Sequence, residues 1–524
     1  MFNIKKVFHV FCTHLIFILL YIVLVIVMRF QPITKIFEMD YDEGFNLIKS
    51  LLYSQGFVLY SEIWNDQPPI FTVILSGWFK LFGQSIFTAR LLVLLFSSVL
   101  VWSFYQIIRR ELGNIPAIAS TFILFTSWLF IRLNISVMIG LPSLAMAMLA
   151  VYLLSIYQTI NNSLTDNLNI NDVQKTNSYR LLLLSGILFA LSLQIKLFTI
   201  FLLPLLIVYL LNYQFPSTEN LNKFWEYIKP LCIWLISIAI VYLAIGIYFH
   251  QIFNHEQVLL THFNQTQDAN LDTFNNFKSL RQMLSQDFDY LFLAVIGIWA
   301  IWNKKEKNGL LPITWLGSAF LILSIHKPIW YHYYPLLSIP IAWLSAYAIA
   351  LFVNFLQQAK YHQLNFKKFQ LNNLNLDNLK LIAKNQLITT TLITTILGIL
   401  VFLIIITPPN PHGTVPRNKE IMQLVLQHKN NTKWLFTDRP IYAFYAGLPV
   451  PPEIAVISYK RINSGDITTQ KLLEILQKYH PEQIVLARWT SQIKADAQIM
   501  NYLTANYLKT YSDRKNTEEH YLLK

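Results

Sequence analysis

The sequence has few charged side chains and almost no cysteine. Only 13% of its 524 residues are charged, whereas soluble domains carry about a quarter, so the composition argues against a soluble globular protein. The two cysteines, Cys12 and Cys232, both lie in apolar segments, which argues against a disulfide framework or a thiolate metal site. No HExxH motif is present, and the C-terminal part lacks the GxGxxG turn of a dinucleotide site.

Hydrophobic residues, in contrast, make up 54% of the chain. Apolar segments long enough, or nearly long enough, to cross a bilayer lie at 8–28, 67–83, 86–108, 115–131, 138–158, 180–195, 197–212, 230–250, 288–303, 310–325, 335–357 and 386–407. This pattern predicts an α-helical polytopic membrane protein. The first segment follows Lys5 and Lys6 and has no small-residue cleavage site, so we interpret it as a retained span rather than a signal peptide.

The formal net charge is +13, and the densest basic clusters are Arg109-Arg110, 304–307 and 360–384. An excess of Lys and Arg in a polytopic chain marks cytoplasmic loops and contacts anionic lipid more often than it binds nucleic acid. These three clusters lie on the same side of the membrane if the segment 67–83 does not cross it. This segment opens with two prolines, and we interpret it as a juxtamembrane or re-entrant helix. About eleven spans then remain. The N-terminus is cytoplasmic in this inner-membrane topology, and the first loop, 29–85, faces outward.

The sequence pattern changes after residue 407. We expect a membrane domain at 1–407 and a small extracytoplasmic α/β domain at 408–524. Within the second domain, 433–437 and 483–487 have the apolar, β-branched composition of short buried strands. Between these strands, 468–479 repeats apolar residues at helical spacing.

Acidic side chains on the first loop are the leading candidates for chemistry. Asp42 and Glu43 are adjacent at the start of an amphipathic stretch, and Asp66 and Gln67 precede the two prolines. Acids at the edge of the hydrocarbon are costly to desolvate, and they commonly abstract protons or handle cations there. The alternative is that they only cap helices and interact favourably with the helix dipoles.

Three basic side chains lie near the predicted outer ends of spans, namely Arg90, Lys196 and Lys327. Each either extends its charge to the lipid interface or binds a phosphate of the substrate. Arg90 could instead anchor a catalytic carboxylate.

An aromatic loop precedes the segment 335–357 and contains Tyr331, His332 and Tyr334. Such rings form either an interfacial girdle or a pocket for a sugar beside a phosphate. His255 and His262 lie on another predicted outer loop. They are either solvated or, with Asp66, ligands of a divalent metal.

Taken in order, these features resemble the GT-C glycosyltransferases, above all the protein O-mannosyltransferases and the lipid A aminoarabinose transferases (glycosyltransferase families 39 and 83). The resemblance covers 38–110 best and continues more weakly to about residue 345. The motifs that carry it are Asp42-Glu43-Gly44, Pro68-Pro69, Leu81-Phe82-Gly83, Ala89-Arg90-Leu91 and a late aromatic loop ending in Tyr334-Pro335.

The resemblance implies an enzyme that takes a sugar from a polyprenyl phosphate at the outer face of the membrane. The sugar passes, with inversion, to a hydroxyl or amine of a protein, lipid or glycan. By motif, Asp42 resembles the general base and Glu43 its companion in positioning the substrate. Gln67 stands where some relatives have a lysine that faces the lipid phosphate, so Arg90, Lys196 or Lys327 must supply that charge. Asp66 matches an acid that helps to hold a divalent ion in some relatives.

The sequence leaves two interpretations from other classes of protein open. A transporter or lipid flippase would show paired inverted repeats and ionisable residues at the centre of the membrane, whereas the ionisable residues here gather at the predicted outer ends. A scaffold without catalytic activity would use the C-terminal part only to bind partners.

The topology makes a testable prediction. In a variant without Cys12 and Cys232, the substitution Asp42→Cys should react in intact cells with a small thiol reagent that cannot cross the membrane. Reaction only after the cells are permeabilised would place the acidic loop in the cytoplasm and contradict the assignment.

Overall fold

The computed structural model describes residues 17–19, 21–26, 33–166, 172–211, 221–260, 275–286, 288–326, 329–369 and 415–524. The predicted span 386–407 lies outside these residues, and so do Lys327 and His262. The structure does not describe the side chain of Tyr331 either.

Among the described residues, six helices are long and apolar enough to cross a membrane. They lie within Ile86–Leu112, Gly140–Asp166, Asp172–Ile195, Leu221–Tyr248, Leu310–Ile325 with the preceding turn Lys307–Gly309, and Pro335–Phe369. The polytopic helical fold predicted from the apolar segments is therefore confirmed.

Shorter helices connect and support the long ones. They are Tyr41–Ser54, Ile70–Phe82, Asn114–Thr126, Trp128–Leu133, Leu202–Leu210, Asn276–Gln286 and Phe288–Lys304. Ile70–Phe82 has 13 residues. At 1.5 Å per residue it is about 20 Å long, less than the roughly 30 Å of hydrocarbon, which agrees with a juxtamembrane or re-entrant helix.

Glycines allow the membrane helices to approach each other closely. A Cβ on Gly297 would clash with the carbonyl oxygen of Leu344, so Phe288–Lys304 packs backbone to backbone against Pro335–Phe369. A Cβ on Gly186 would likewise lie 2.8 Å from the carbonyl oxygen of Trp234. Small residues at helix contacts are typical of membrane bundles, where packing rather than water exclusion holds helices together.

The C-terminal part forms a four-stranded sheet from the strands β1 Leu435–Thr437, β2 Gln483–Leu486, β3 Tyr507–Ser512 and β4 Glu519–Leu523. Their order in the sheet is β1-β2-β4-β3. β1 and β2 are parallel, and the other pairs are antiparallel. The helices are Lys419–Gln427, Ile441–Ala446, Tyr459–Asn463, Thr469–Tyr479, Thr490–Lys494 and Ala497–Asn506. Both strands and the helix predicted from the sequence are thus present, with ends shifted by one or two residues.

This α/β part packs directly on the first loop of the membrane part. The buried side chain of Arg439 donates to Glu38 at 3.0 Å. Tyr445 donates to the carbonyl of Phe37 at 3.0 Å, and Gln84 donates to the carbonyl of Phe444 at 3.0 Å. The first loop is therefore enclosed between the membrane helices and the C-terminal part.

Candidate functional site

A cavity of about 360 Å³ lies where the first loop, the ends of the membrane helices and the C-terminal part meet. The helix Tyr41–Ser54 forms one wall, with Asp42, Phe45, Asn46 and Lys49 all facing the cavity. Their spacing of three, four and seven residues puts them on one face of the helix. Residues 43–52 of the helix are all buried.

Asp42 lies at the first turn of this helix. The side chain of Asp40 caps the helix by accepting from the backbone N–H of Asp42 at 2.9 Å. Burial, and then the nearby Asp40, raise the pKa of Asp42, while Arg488 and Lys196 lower it, and the net value is about 6. Among the described residues, none donates a hydrogen bond to the Asp42 carboxylate. This group is therefore available to accept a proton from a ligand in the cavity.

Glu43, its neighbour, points away from the cavity and is completely buried. Its carboxylate accepts from Arg90 Nε at 3.0 Å and Nη2 at 2.8 Å, and from the backbone N–H groups of Met39 at 2.7 Å and Val137 at 3.1 Å. These donors occupy both carboxylate oxygens. The structure therefore contradicts a direct role of Glu43 in positioning the substrate, and the residue instead fixes the first loop on the membrane helices.

Arg90 is also fully buried and does not line the cavity. Besides Glu43, its guanidinium donates to the backbone carbonyls of Ile33 at 3.0 Å and Ile36 at 2.8 Å. The predicted contact of Arg90 with a substrate phosphate is therefore wrong. The alternative, that Arg90 anchors a carboxylate, describes its position correctly, but the carboxylate is that of Glu43.

Lys196 is the predicted cation that the membrane part brings into the cavity. It lies between the helix Asp172–Ile195 and the turn Leu197–Phe201. Its ammonium is 4.8 Å from the ring centroid of Phe198 and 4.9 Å from that of Tyr333, and such ring faces favour a cation. Lys49 lies in the same cavity and donates to Asn65 at 2.9 Å.

The aromatic loop contributes His326, Trp330, His332 and Tyr333 to the cavity. Burial lowers the pKa of His326 to about 4, and burial with nearby lysines lowers that of His332 as well, so both imidazoles are neutral near pH 7. Tyr334, in contrast, is completely buried and does not line the cavity. The predicted substrate contact of Tyr334 is therefore wrong, and its neighbour Tyr333 lies in the cavity instead.

Asp66 and Gln67 also border the cavity. The carbonyl of Gln67 accepts from Tyr60 at 2.8 Å and from the Asn65 side chain at 2.7 Å, which holds the turn before the prolines. His255 is exposed and does not line the cavity. Within the described part of the chain, no three His, Cys, Asp or Glu side chains come close enough to hold a metal ion. The described residues therefore do not fit a metal centre, and the divalent metal stays a prediction.

Several cavity residues were not found from the sequence. Lys49 lies seven residues, or about two helical turns, after Asp42. This spacing puts both side chains on the same face of the helix and could have indicated Lys49 from the sequence. Lys460 and Arg488 come from the C-terminal part, and no local pattern connects either of them with the first loop.

The fold matches two kinds of solved membrane enzyme. ArnT from Cupriavidus metallidurans, solved bound to undecaprenyl phosphate, aligns with a TM-score of 0.61 and 12% identity over 96% of this chain and 97% of that one. The archaeal oligosaccharyltransferase AglB from Archaeoglobus fulgidus, solved with an inhibitory peptide and a dolichol phosphate, aligns with a TM-score of 0.54 and 12% identity, covering 97% of this chain and 74% of that one.

In sequence, residues 66–244 match the family described as dolichyl-phosphate-mannose-protein mannosyltransferase. No curated protein sequence matches the chain. The fold is the GT-C fold expected from the sequence, and this part of the prediction is confirmed.

The buried pair of Glu43 and Arg90 makes a testable prediction. Arg90→Leu should destabilise the protein by about 3–5 kcal/mol, because it leaves the Glu43 carboxylate buried without its counter-charge. The measurement is thermal unfolding of the purified protein in detergent.

The matched control is Arg109→Leu, on the exposed end of the same helix, which should change stability by less than about 0.5 kcal/mol. Adding Glu43→Gln to Arg90→Leu should restore part of the loss. Equal melting temperatures for the two single variants would show that the pair does not hold the loop.

Proposed function

We propose that this protein is a membrane glycosyltransferase that takes a sugar from a polyprenyl-phosphate donor and transfers it to a hydroxyl or amine of a protein, lipid or glycan. The GT-C fold supports this class of reaction. The single observation on which the proposal rests is that Asp42 shares a cavity with Lys196 and has no hydrogen-bond donor on its carboxylate among the described residues.

Asp42 is suited to act as the general base. An acceptor hydroxyl becomes a nucleophile when a positioned base removes its proton, and such catalysis contributes about 10²–10⁴-fold. Burial and the Asp40 carboxylate raise the pKa of Asp42 to about 6. It is therefore a stronger base than an exposed aspartate and is still mostly ionised at neutral pH.

Lys196 is suited to balance the charge that develops on the lipid phosphate as it leaves. Of the three cations considered from the sequence, Arg90 is occupied by Glu43, Lys327 lies outside the described residues, and Lys196 borders the cavity. An ammonium fixed next to the departing oxygens stabilises them in a partly dry site much more strongly than in water.

The geometry of the reaction follows by analogy with glycosidases. One carboxylate acting on the acceptor, opposite the leaving phosphate, predicts a single displacement and inversion at the anomeric carbon. The distribution of basic loops supports a cavity at the outer face of the plasma membrane and a cytoplasmic N-terminus.

The proposal predicts that Asp42→Asn inserts and folds normally but loses about 10²–10⁴-fold in transfer, because the amide cannot accept the proton. Lipid-linked sugars and surface glycans should be compared between cells with the native protein, the variant and no protein. Cells with the variant should accumulate the lipid-linked sugar as cells without the protein do.

The control is Glu62→Gln, an exposed acid on the same loop, which should leave glycans unchanged. Normal glycans in cells with Asp42→Asn would exclude Asp42 as the base.

The pH dependence is a second prediction. Because only the ionised carboxylate accepts a proton, kcat/KM should rise with pH up to about 6 and level off above it. Initial rates at limiting donor and acceptor between pH 4.5 and 8 would measure this. A profile that is flat across pH 6 would contradict the role of this carboxylate.

A further inference from the structure

The parallel strands of the C-terminal part direct their carboxyl ends toward the cavity. Asp438 follows β1 directly, and Arg488 comes two residues after the end of β2 and lines the cavity. In α/β sheets, ligands characteristically bind in the crevice beyond the carboxyl ends of parallel strands. The position of Arg488 is therefore one where such a domain commonly contacts a ligand.

The backbone around Arg488 is held rigidly by Asp438. This fully buried carboxylate accepts from the backbone N–H groups of Ala487 at 2.7 Å, Arg488 at 3.0 Å and Trp489 at 2.5 Å. Three hydrogen bonds to one carboxylate fix the turn after β2 in a single conformation. The backbone position of Arg488 is therefore fixed independently of any ligand.

Aromatic rings hold the guanidinium of Arg488 at the cavity wall. Its central carbon lies 4.2 Å from the ring centroid of Tyr41, 5.3 Å from that of Phe45 and 5.3 Å from that of Trp489. Tyr41 and Phe45 belong to the helix that carries Asp42. Ring faces favour a guanidinium, and they do not compete for its N–H groups, which lie in the plane of the guanidinium itself.

One of these N–H groups has no acceptor. Nη1 of Arg488 is shielded from solvent and has no hydrogen-bond partner among the described residues. A buried donor on a charged group that stays unpaired costs more than an ordinary missing hydrogen bond, so such groups normally find an acceptor. Lys460, also from the C-terminal part, borders the same cavity. Two cations from one domain, one of them lacking an acceptor, indicate an anionic ligand.

We propose that Arg488, together with Lys460, binds a phosphate group of a substrate inside the cavity, so that the C-terminal domain completes the transferase site. This inference rests on the proposed function, because it assumes a phosphate-bearing substrate. A planar guanidinium matches two phosphate oxygens at once, and an ammonium adds charge without that geometry. The phosphate belongs either to the prenyl carrier or to the other substrate.

The test uses the purified full-length protein in detergent and two probes, undecaprenyl phosphate and inorganic phosphate at constant ionic strength. The increase in melting temperature with ligand concentration reports the affinity. Arg488→Gln should weaken binding by about 10- to 100-fold, as expected for the loss of a charge-assisted hydrogen bond. Arg488→Lys should lie between this variant and the native protein. Arg514→Gln, which removes an exposed arginine of the same domain, is the matched control and should bind normally.

Loss of undecaprenyl-phosphate affinity in Arg488→Gln would support the inference and assign the phosphate to the prenyl carrier. Loss of inorganic-phosphate affinity alone would support it and assign the phosphate to the other substrate. Native affinity of Arg488→Gln for both probes would overturn the inference and leave the proposed function intact.

A native protein that does not bind undecaprenyl phosphate would instead count against the proposed function. The inference would then stand only if binding of inorganic phosphate depended on Arg488, and it would otherwise be overturned. If Arg488→Gln does not fold, Arg488→Lys decides, because native affinity of this variant for both probes would contradict recognition by the guanidinium.

Discussion

The buried ion pair between Glu43 and Arg90 is the interaction on which the candidate site depends. It joins the first loop to a membrane helix with no exposure to solvent on either side chain. Such a pair gains little net free energy over an apolar contact, but it tolerates no other arrangement, because either charge alone would be very costly to bury. The pair therefore orients the helix Tyr41–Ser54 more than it strengthens the fold.

This orientation gives two adjacent acids opposite roles. Consecutive residues of an α-helix point about 100° apart, so a helix that buries Glu43 against Arg90 must turn Asp42 toward another surface. That surface is the cavity, where Asp42 meets Lys196 and the aromatic loop. Glu43 forms a structural ion pair, whereas the carboxylate of Asp42 faces the cavity and is available to a ligand.

The C-terminal part determines how that carboxylate behaves. Its packing on the first loop encloses the cavity, and this burial is the main cause of the raised pKa of Asp42. Arg488 and Lys196 oppose the increase, so the ionised form remains accessible at neutral pH. A base that is partly desolvated but still charged is suited to proton abstraction from a weak acid such as a hydroxyl. The C-terminal part thus forms one wall of the cavity.

Much of the fold was predictable because it depends on local patterns. Long apolar segments specify membrane helices, and apolar residues at strand or helix spacing specified β1, β2 and the helix Thr469–Tyr479. The prediction was less accurate for side chains. Asp42 and Lys196 do lie in the cavity, whereas Arg90 and Tyr334 are buried elsewhere. A polar residue near a helix end has the same local sequence in both cases, so only its neighbours in space distinguish them.

The sequence alone determined the polytopic membrane fold, its apolar helices and the α/β character of the C-terminal part, and it indicated the acidic loop as the candidate site. Only the tertiary structure decided which acid faces the cavity, which cations accompany it and that Lys460 and Arg488 arrive from residues more than 400 positions later than Asp42. The physical reason is the distance along the chain between the residues that interact. Hydrophobic periodicity is a pattern among residues close in sequence, while burial, charge pairing and pKa depend on groups that only folding brings together.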